Sequence, residues 1–113
     1  MMSVGLSQKI ADGVLQVGFA EGKVKQQFTL HCVIDLTGEG IVVGVEVLDF
    51  RRQTGGAEVP VGPAGDSGHV AYDAEMDALY VRIGGERGPH QRRATGVALI
   101  GPRGQVLGIE VAL

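Results

Sequence analysis

Val33-Ile34-Asp35-Leu36-Thr37-Gly38-Glu39-Gly40-Ile41-Val42-Val43-Gly44-Val45-Glu46-Val47 aligns without a gap on Val97-Ala98-Leu99-Ile100-Gly101-Pro102-Arg103-Gly104-Gln105-Val106-Leu107-Gly108-Ile109-Glu110-Val111 at a constant offset of 64 residues. Val33, Gly40, Val42, Gly44, Glu46 and Val47 find the same residue in the second stretch, six of the fifteen positions. The same offset carries Leu15, Val17 and Phe19 onto Leu79, Val81 and Ile83, so an earlier alternating segment keeps its register. Self-similarity at a fixed period predicts an internal duplication.

Working outward from that match, Leu79-Tyr80-Val81-Arg82-Ile83 alternates apolar and polar with period two, the pattern of a half-buried strand. Each copy then reads as a three-strand meander with a leading edge segment: strands at 15–19, 29–36 and 42–48, repeated at 79–83, 95–100 and 106–112. The last two strands of each copy join through the four-residue turns 37–40 and 101–104, whose closing glycines suit a positive φ angle. The reading is an all-β, mostly antiparallel fold, with two tandem three- to four-stranded repeats packed as a sandwich or as a continuous sheet about an internal pseudo-two-fold axis. It forms a single domain over 1–113, with repeat one at 4–50, a Gly- and Pro-rich connector at 51–68 and repeat two at 69–113. No amphipathic helix is expected, only one helical turn over 73–77 with Asp73 as its N-cap.

With 113 residues the chain suffices for one core. Aromatic residues make up only 4%, and the formal charge of -3 disfavours nucleic acid and anionic membrane surfaces. Cys32, the single cysteine, fits a reducing compartment, and no run of about 20 apolar residues appears, so a cytoplasmic protein with no membrane partner is expected. The strand at 42–48 is apolar on both faces, Val43, Val45 and Val47 on one side and Val42, Gly44 and Leu48 beside Glu46 on the other. A second apolar face without a covering helix predicts a homo-oligomer, a dimer or larger.

The candidate site residues are carboxylates and their neighbours. Asp73, Glu75 and Asp77 form an acidic cluster, but the further ligands of a calcium loop do not follow, so turn capping is the better reading and neither metal nor cofactor is expected. Glu46 and Glu110 hold the same place in the two copies; side by side they would share a proton as a dyad, but pairing is the commoner outcome, and Arg82 has the parity to face Glu110. His31 and Cys32 are neighbours on a strand and point to opposite faces, so they cannot converge on one atom. Arg82, Arg87, His90, Arg92 and Arg93 make the one basic stretch, read as a solvated loop and edge strand or as an anion site. No nucleophile signature and no phosphate-cradling loop is present.

Two separated motifs carry a family resemblance. Tyr72-Asp73-Ala74-Glu75-Met76-Asp77-Ala78-Leu79-Tyr80-Val81-Arg82-Ile83, followed by Gly104-Gln105-Val106-Leu107-Gly108-Ile109-Glu110-Val111, resembles the bacterial family called domain of unknown function 2283, over 70–113. The first copy departs from it, with Lys9 where Asp73 stands, Gly13 where Asp77 stands and Gln16 where Tyr80 stands. The resemblance implies no activity, only an interaction role, since some members look like partners of small toxins. Three readings follow: a non-catalytic, self-associating protein-interaction module of antitoxin-like character, with Glu46, Glu110, Arg82, Tyr80, Asp73 and Asp77 as its binding residues; a small-molecule binding protein with its pocket between repeats or subunits; and an enzyme using carboxylates.

Overall fold

The computed structural model describes residues 7–59, 69–84 and 88–113. The expected start of repeat one at residue 4, connector residues 60–68 and Arg87 lie outside the described residues. The elements are strands β1 (Ser7–Ala11), β2 (Val14–Gly18), β3 (Gln26–Leu36) and β4 (Val42–Val47), one helical turn α1 (Phe50–Gln53), and strands β5 (His69–Asp73), β6 (Ala78–Arg82), β7 (His90–Ile100) and β8 (Val106–Ala112).

The tight turns lie where the residues demand them. Asp12 and Gly13 both take left-handed φ values, 54° and 75°, and close a two-residue hairpin between Ala11 and Val14. Gly40 and Gly104 take φ of 83° and 79° at the ends of the two four-residue turns, as their shared position predicts.

All eight strands join one curled antiparallel sheet in the order β1-β2-β8-β7-β3-β4-β6-β5. The fold class is the expected one, realised as a continuous sheet and not as a sandwich. The three-strand meander is not formed: β2 pairs with β8 and β6 with β4, so the two hairpins of each half are parted by strands from the other half. The cause is the link from β2 to β3, which makes no tight turn. Its Phe19 and Ala20 N–H groups donate to the Leu107 carbonyl and its Lys25 N–H to the Ile100 carbonyl, holding the chain against β7 and β8. Ile83 and Gly84 donate to Val43 in the same way after β6.

Exchanging β1–β4 for β5–β8 leaves the strand order unchanged. At its centre lies the longest ladder, from Gln26 opposite Ile100 to Leu36 opposite His90, with His31 facing Thr95, the residue 64 positions on. One face of the sheet encloses a single core, in which Leu15, Leu30, Ile34, Val45, Val47, Leu79, Val81, Ala98, Ile109 and Val111 are fully buried. Each large aliphatic side chain removed from water there stabilises the fold by about 1.5–3 kcal/mol. The curl brings β1 at one edge close to β6 beside the other, where the Gln8 side-chain amide donates to the Arg82 carbonyl at 3.3 Å.

Helix α1 falls where the connector was expected to begin, and it corrects the reading that put a single helical turn at 73–77, where the chain makes a β5–β6 turn instead. Four residues are too few to show a 3.6-residue period. The turn is fixed from outside, by burial of Phe50 in the core and by bonds from β3 and the β5–β6 turn described below.

The outer faces of β4 and β8 also differ from expectation. Tyr80 lies across Gly44, and the link after β2 rests Gly22 against the Leu107 side chain. The chain thus covers with its own atoms much of the second apolar face that predicted an oligomer. Leu48, 47% exposed, is the main apolar residue left open there.

Candidate functional site

A groove of about 810 Å³ lies over the middle of the β3·β7 ladder, between the residues that follow β4 and those that end β8. Its lining includes the apolar residues Val33, Leu48, Ala94, Ala112 and Leu113 and three arginines, Arg52 of α1 and Arg92 and Arg93 of β7. Arg93, opposite Val33, shares the outer face of the sheet with His31, while Arg92, opposite Ile34, leaves β7 on the other face. Asp49 is the single acidic residue among its lining side chains. Among the described residues no ion pair or side-chain hydrogen bond engages Arg52, Arg92 or Arg93. The groove is therefore basic in a chain whose net charge is -3.

Two side chains at its centre invite chemistry and do not supply it. His31 is exposed and Cys32 buried, on opposite faces as the strand pattern predicts. Burial pushes the Cys32 thiol up to about 11, so it stays protonated and a poor nucleophile at neutral pH. His31 contributes its backbone instead. Its N–H donates to Gln53 Oε1 at 2.7 Å, and Gln53 Nε2 donates to the carbonyls of His31 at 3.2 Å and Leu48 at 2.7 Å. The Gln53 amide occupies the ladder position that β4 vacates when it ends at Val47, and so fixes the groove wall that carries Arg52.

Asp77 fixes that wall from the other side. Its carboxylate accepts from the backbone N–H groups of Arg51 at 2.9 Å and Arg52 at 3.2 Å and from the Tyr72 hydroxyl at 2.7 Å, while its carbonyl accepts from Phe50 N–H. Burial acts to raise the Asp77 pKa, but the hydrogen bonds from Tyr72, Arg51 and Arg52, with the Arg51 charge, outweigh it and hold the carboxyl below its usual 3.8. Asp73 caps its own turn as expected, accepting from Glu75 and Met76 N–H through Oδ1. Asp77 also bonds through its side chain, but to α1 and to Tyr72 of β5 and not within the turn.

The remaining sequence candidates divide. Glu46, Tyr80 and Arg82 share the outer face beside the groove, in the rows Arg93–Val33–Glu46–Tyr80 and Gln91–Asp35–Gly44–Arg82. Tyr80 is held there by Asp35, a residue the sequence pattern does not single out. Asp35 is 1% exposed and accepts from the Tyr80 hydroxyl at 2.9 Å and from Gln91 Nε2 at 3.1 Å. The signal for it was a break in the 64-residue self-alignment, since Asp35 falls on Leu99. Tyr80 reaches Asp35 only because Gly44 between them has no side chain.

Arg82 does not face Glu110, as its parity had suggested. It sits opposite Gly44 in the other half of the sheet, while Glu110 lies between Gln16 and Val97 and accepts from Gln16 Nε2 at 3.4 Å. Strand order was the missing information, because parity fixes a face and not a neighbour. Glu46 on β4 and Glu110 on β8 are three strand steps apart, each about 4.8 Å. They cannot share a proton. Among the described residues no cluster of three His, Cys, Asp or Glu side chains could hold a metal ion, and no helix is long and apolar enough to cross a membrane.

No family model, no curated protein and no solved structure matches this chain. The likeness to domain of unknown function 2283 rests on the two quoted motifs alone, and any function must be argued from the geometry.

Proposed function

We propose that this chain is a non-catalytic binding module that holds a protein partner in the groove over the β3·β7 ladder. The observation that carries the reading is a groove lined by apolar residues and by three arginines that have no ion-pair partner among the described residues, Arg93 on the outer face and Arg92 on the other side of β7. Exposed ion pairs contribute only about 0–1 kcal/mol each. Charge therefore selects an acidic partner and speeds its encounter, and burial against Val33, Leu48 and Ala94 supplies the affinity. An antitoxin-like role is one biological form of this reading, with a toxin as the acidic partner.

Selection from a displayed random peptide library tests it. The wild-type protein should enrich sequences that mix acidic and apolar residues, and the Arg92→Glu/Arg93→Glu double variant should not. Equal enrichment by both proteins, or none, would reject the reading. The self-association expected from the sequence belongs to the same proposal with less surface to support it, and a groove lined by three arginines and one aspartate would repel a second copy of itself. Light scattering decides: a mass of twice 11.8 kDa supports it and a mass of 11.8 kDa removes it.

A small-molecule role is favoured by one observation, the groove volume of about 810 Å³, which falls within the roughly 300–1,000 Å³ of ligand pockets. Carboxylate metabolites that raise the melting temperature of the wild type, with the double variant unmoved, would shift the assignment to this second reading.

A further inference from the structure

Strand β7 is eleven residues long, but its pairing with β8 runs only from Gly96 to Ile100. The part at 90–95 pairs with β3 on one side and, among the described residues, with no strand on the other. The direction of its backbone groups follows from His31. Both the N–H and the carbonyl of His31 are engaged by Gln53, so they point away from β7. In an antiparallel ladder opposed residues turn their backbone groups the same way, inward or outward, and successive residues alternate. Thr95, opposite His31, therefore points its backbone groups outward, and Arg93 and Gln91 do the same. Beyond the end of β8 at Ala112, the N–H and carbonyl groups of Gln91 and Arg93 form, among the described residues, an open strand edge beside the groove.

The first half of the chain shows how such an edge is filled. On the equivalent flank of β3, past the end of β4, the Gln53 amide takes the His31 backbone groups and residues Gly55 to Glu58 run on past Phe28 to the turn before β8. Among the described residues nothing does this for β7.

We propose that the partner binds by strand addition, an extended acidic segment pairing antiparallel with β7 at Gln91–Arg93 in line with β8. The proposal rests on the groove reading above and deepens it. Main-chain bonds to an open edge give affinity without sequence preference, and the flanking side chains give selectivity. Directly opposed residues on an antiparallel pair bring their Cβ atoms to about 4.5–5.5 Å. Arg93 and Arg92 project from opposite faces of β7, so the segment selected carries two consecutive acidic residues, one facing each arginine, with apolar or β-branched residues around them.

The test uses an acetylated, amidated hexapeptide Val-Thr-Glu-Glu-Thr-Val and the same peptide N-methylated at both Glu residues, each titrated into the full chain. Amide hydrogen exchange is read by NMR. The unmodified peptide should slow exchange at Gln91 and Arg93 by about tenfold or more, and the N-methylated one should not, since the methyl on whichever Glu nitrogen faces β7 removes that donor and blocks the close approach of the two strands. Arg92→Glu/Arg93→Glu, with its fold checked by circular dichroism, should weaken binding about tenfold or more. If both peptides bind equally and the two amides stay unprotected, strand addition is wrong while the groove reading stands. If neither peptide binds at millimolar concentration, the proposal is overturned, and the displayed library still judges the groove reading on its own.

Discussion

At the residue scale the least ordinary feature is a carboxylate 1% exposed on the outer face of a sheet. Asp35 is tolerable there because Tyr80 and Gln91 donate to it, and a buried charge without donors is costly. Tyr80→Phe should therefore destabilise the fold by about 1–3 kcal/mol, the cost of taking one donor from a buried acceptor, read as a lower midpoint in urea. Gly44→Ala should act on the same contact, because a methyl group at position 44 would collide with the Tyr80 hydroxyl. In a Tyr80→Ala background that second cost should largely vanish, and a double-mutant cycle showing simple additivity would refute the coupling. Cys32 gives a kinetic check at the same scale. With its thiol pushed up to about 11 by burial, it should react with a disulfide reagent at pH 7.5 far more slowly in the native protein than in urea; equal rates would mean the thiol is open.

Among the elements, α1 depends most on groups distant in sequence. Its Arg51 and Arg52 N–H groups are capped by Asp77, its Phe50 N–H by the Asp77 carbonyl, and its far end is tied to β3 through Gln53. The Asp77 carboxyl is held below its usual 3.8, so its contribution is present above that value and lost as pH falls through the lower folded pKa. Tyr72 runs the other way. Its hydrogen bond to Asp77, with burial and the Asp77 charge, raises its pKa above 10, so that part is present below pH 10 and lost as pH rises further. Asp77→Asn should flatten the stability profile at both the acid and the alkaline end, measured by urea unfolding at a series of pH values; an unchanged profile would show that other groups set it. These dependences explain what the sequence displayed. The β3–β4 and β7–β8 hairpins were legible from local alternation and from Gly40 and Gly104, because both signals lie within a few residues. Helix α1, the Asp35 pocket and the groove wall that carries Arg52 were not, because each depends on partners 22 or more residues away.

For the whole molecule, the order β1-β2-β8-β7-β3-β4-β6-β5 means that neither half of the chain owns a sheet. Strand β2 needs β8, β3 needs β7 and β6 needs β4, and the core draws Leu15 and Leu30 from one half and Leu79 and Ile109 from the other. A half separated from its complement keeps only two hairpins, and an isolated two-stranded hairpin is at best marginally stable in water. The fragments 1–56 and 57–113 should thus each lack a cooperative unfolding transition as monomers, and mixing them should restore the β-sheet circular dichroism of the intact chain with a concentration-dependent midpoint. Two tandem meanders, the arrangement suggested by the 64-residue offset alone, would predict the reverse, since each copy would carry its own three-strand sheet. Cooperative melting of either fragment as a monomer would therefore contradict the interleaved sheet and, with it, the position of the groove over a ladder formed by both halves.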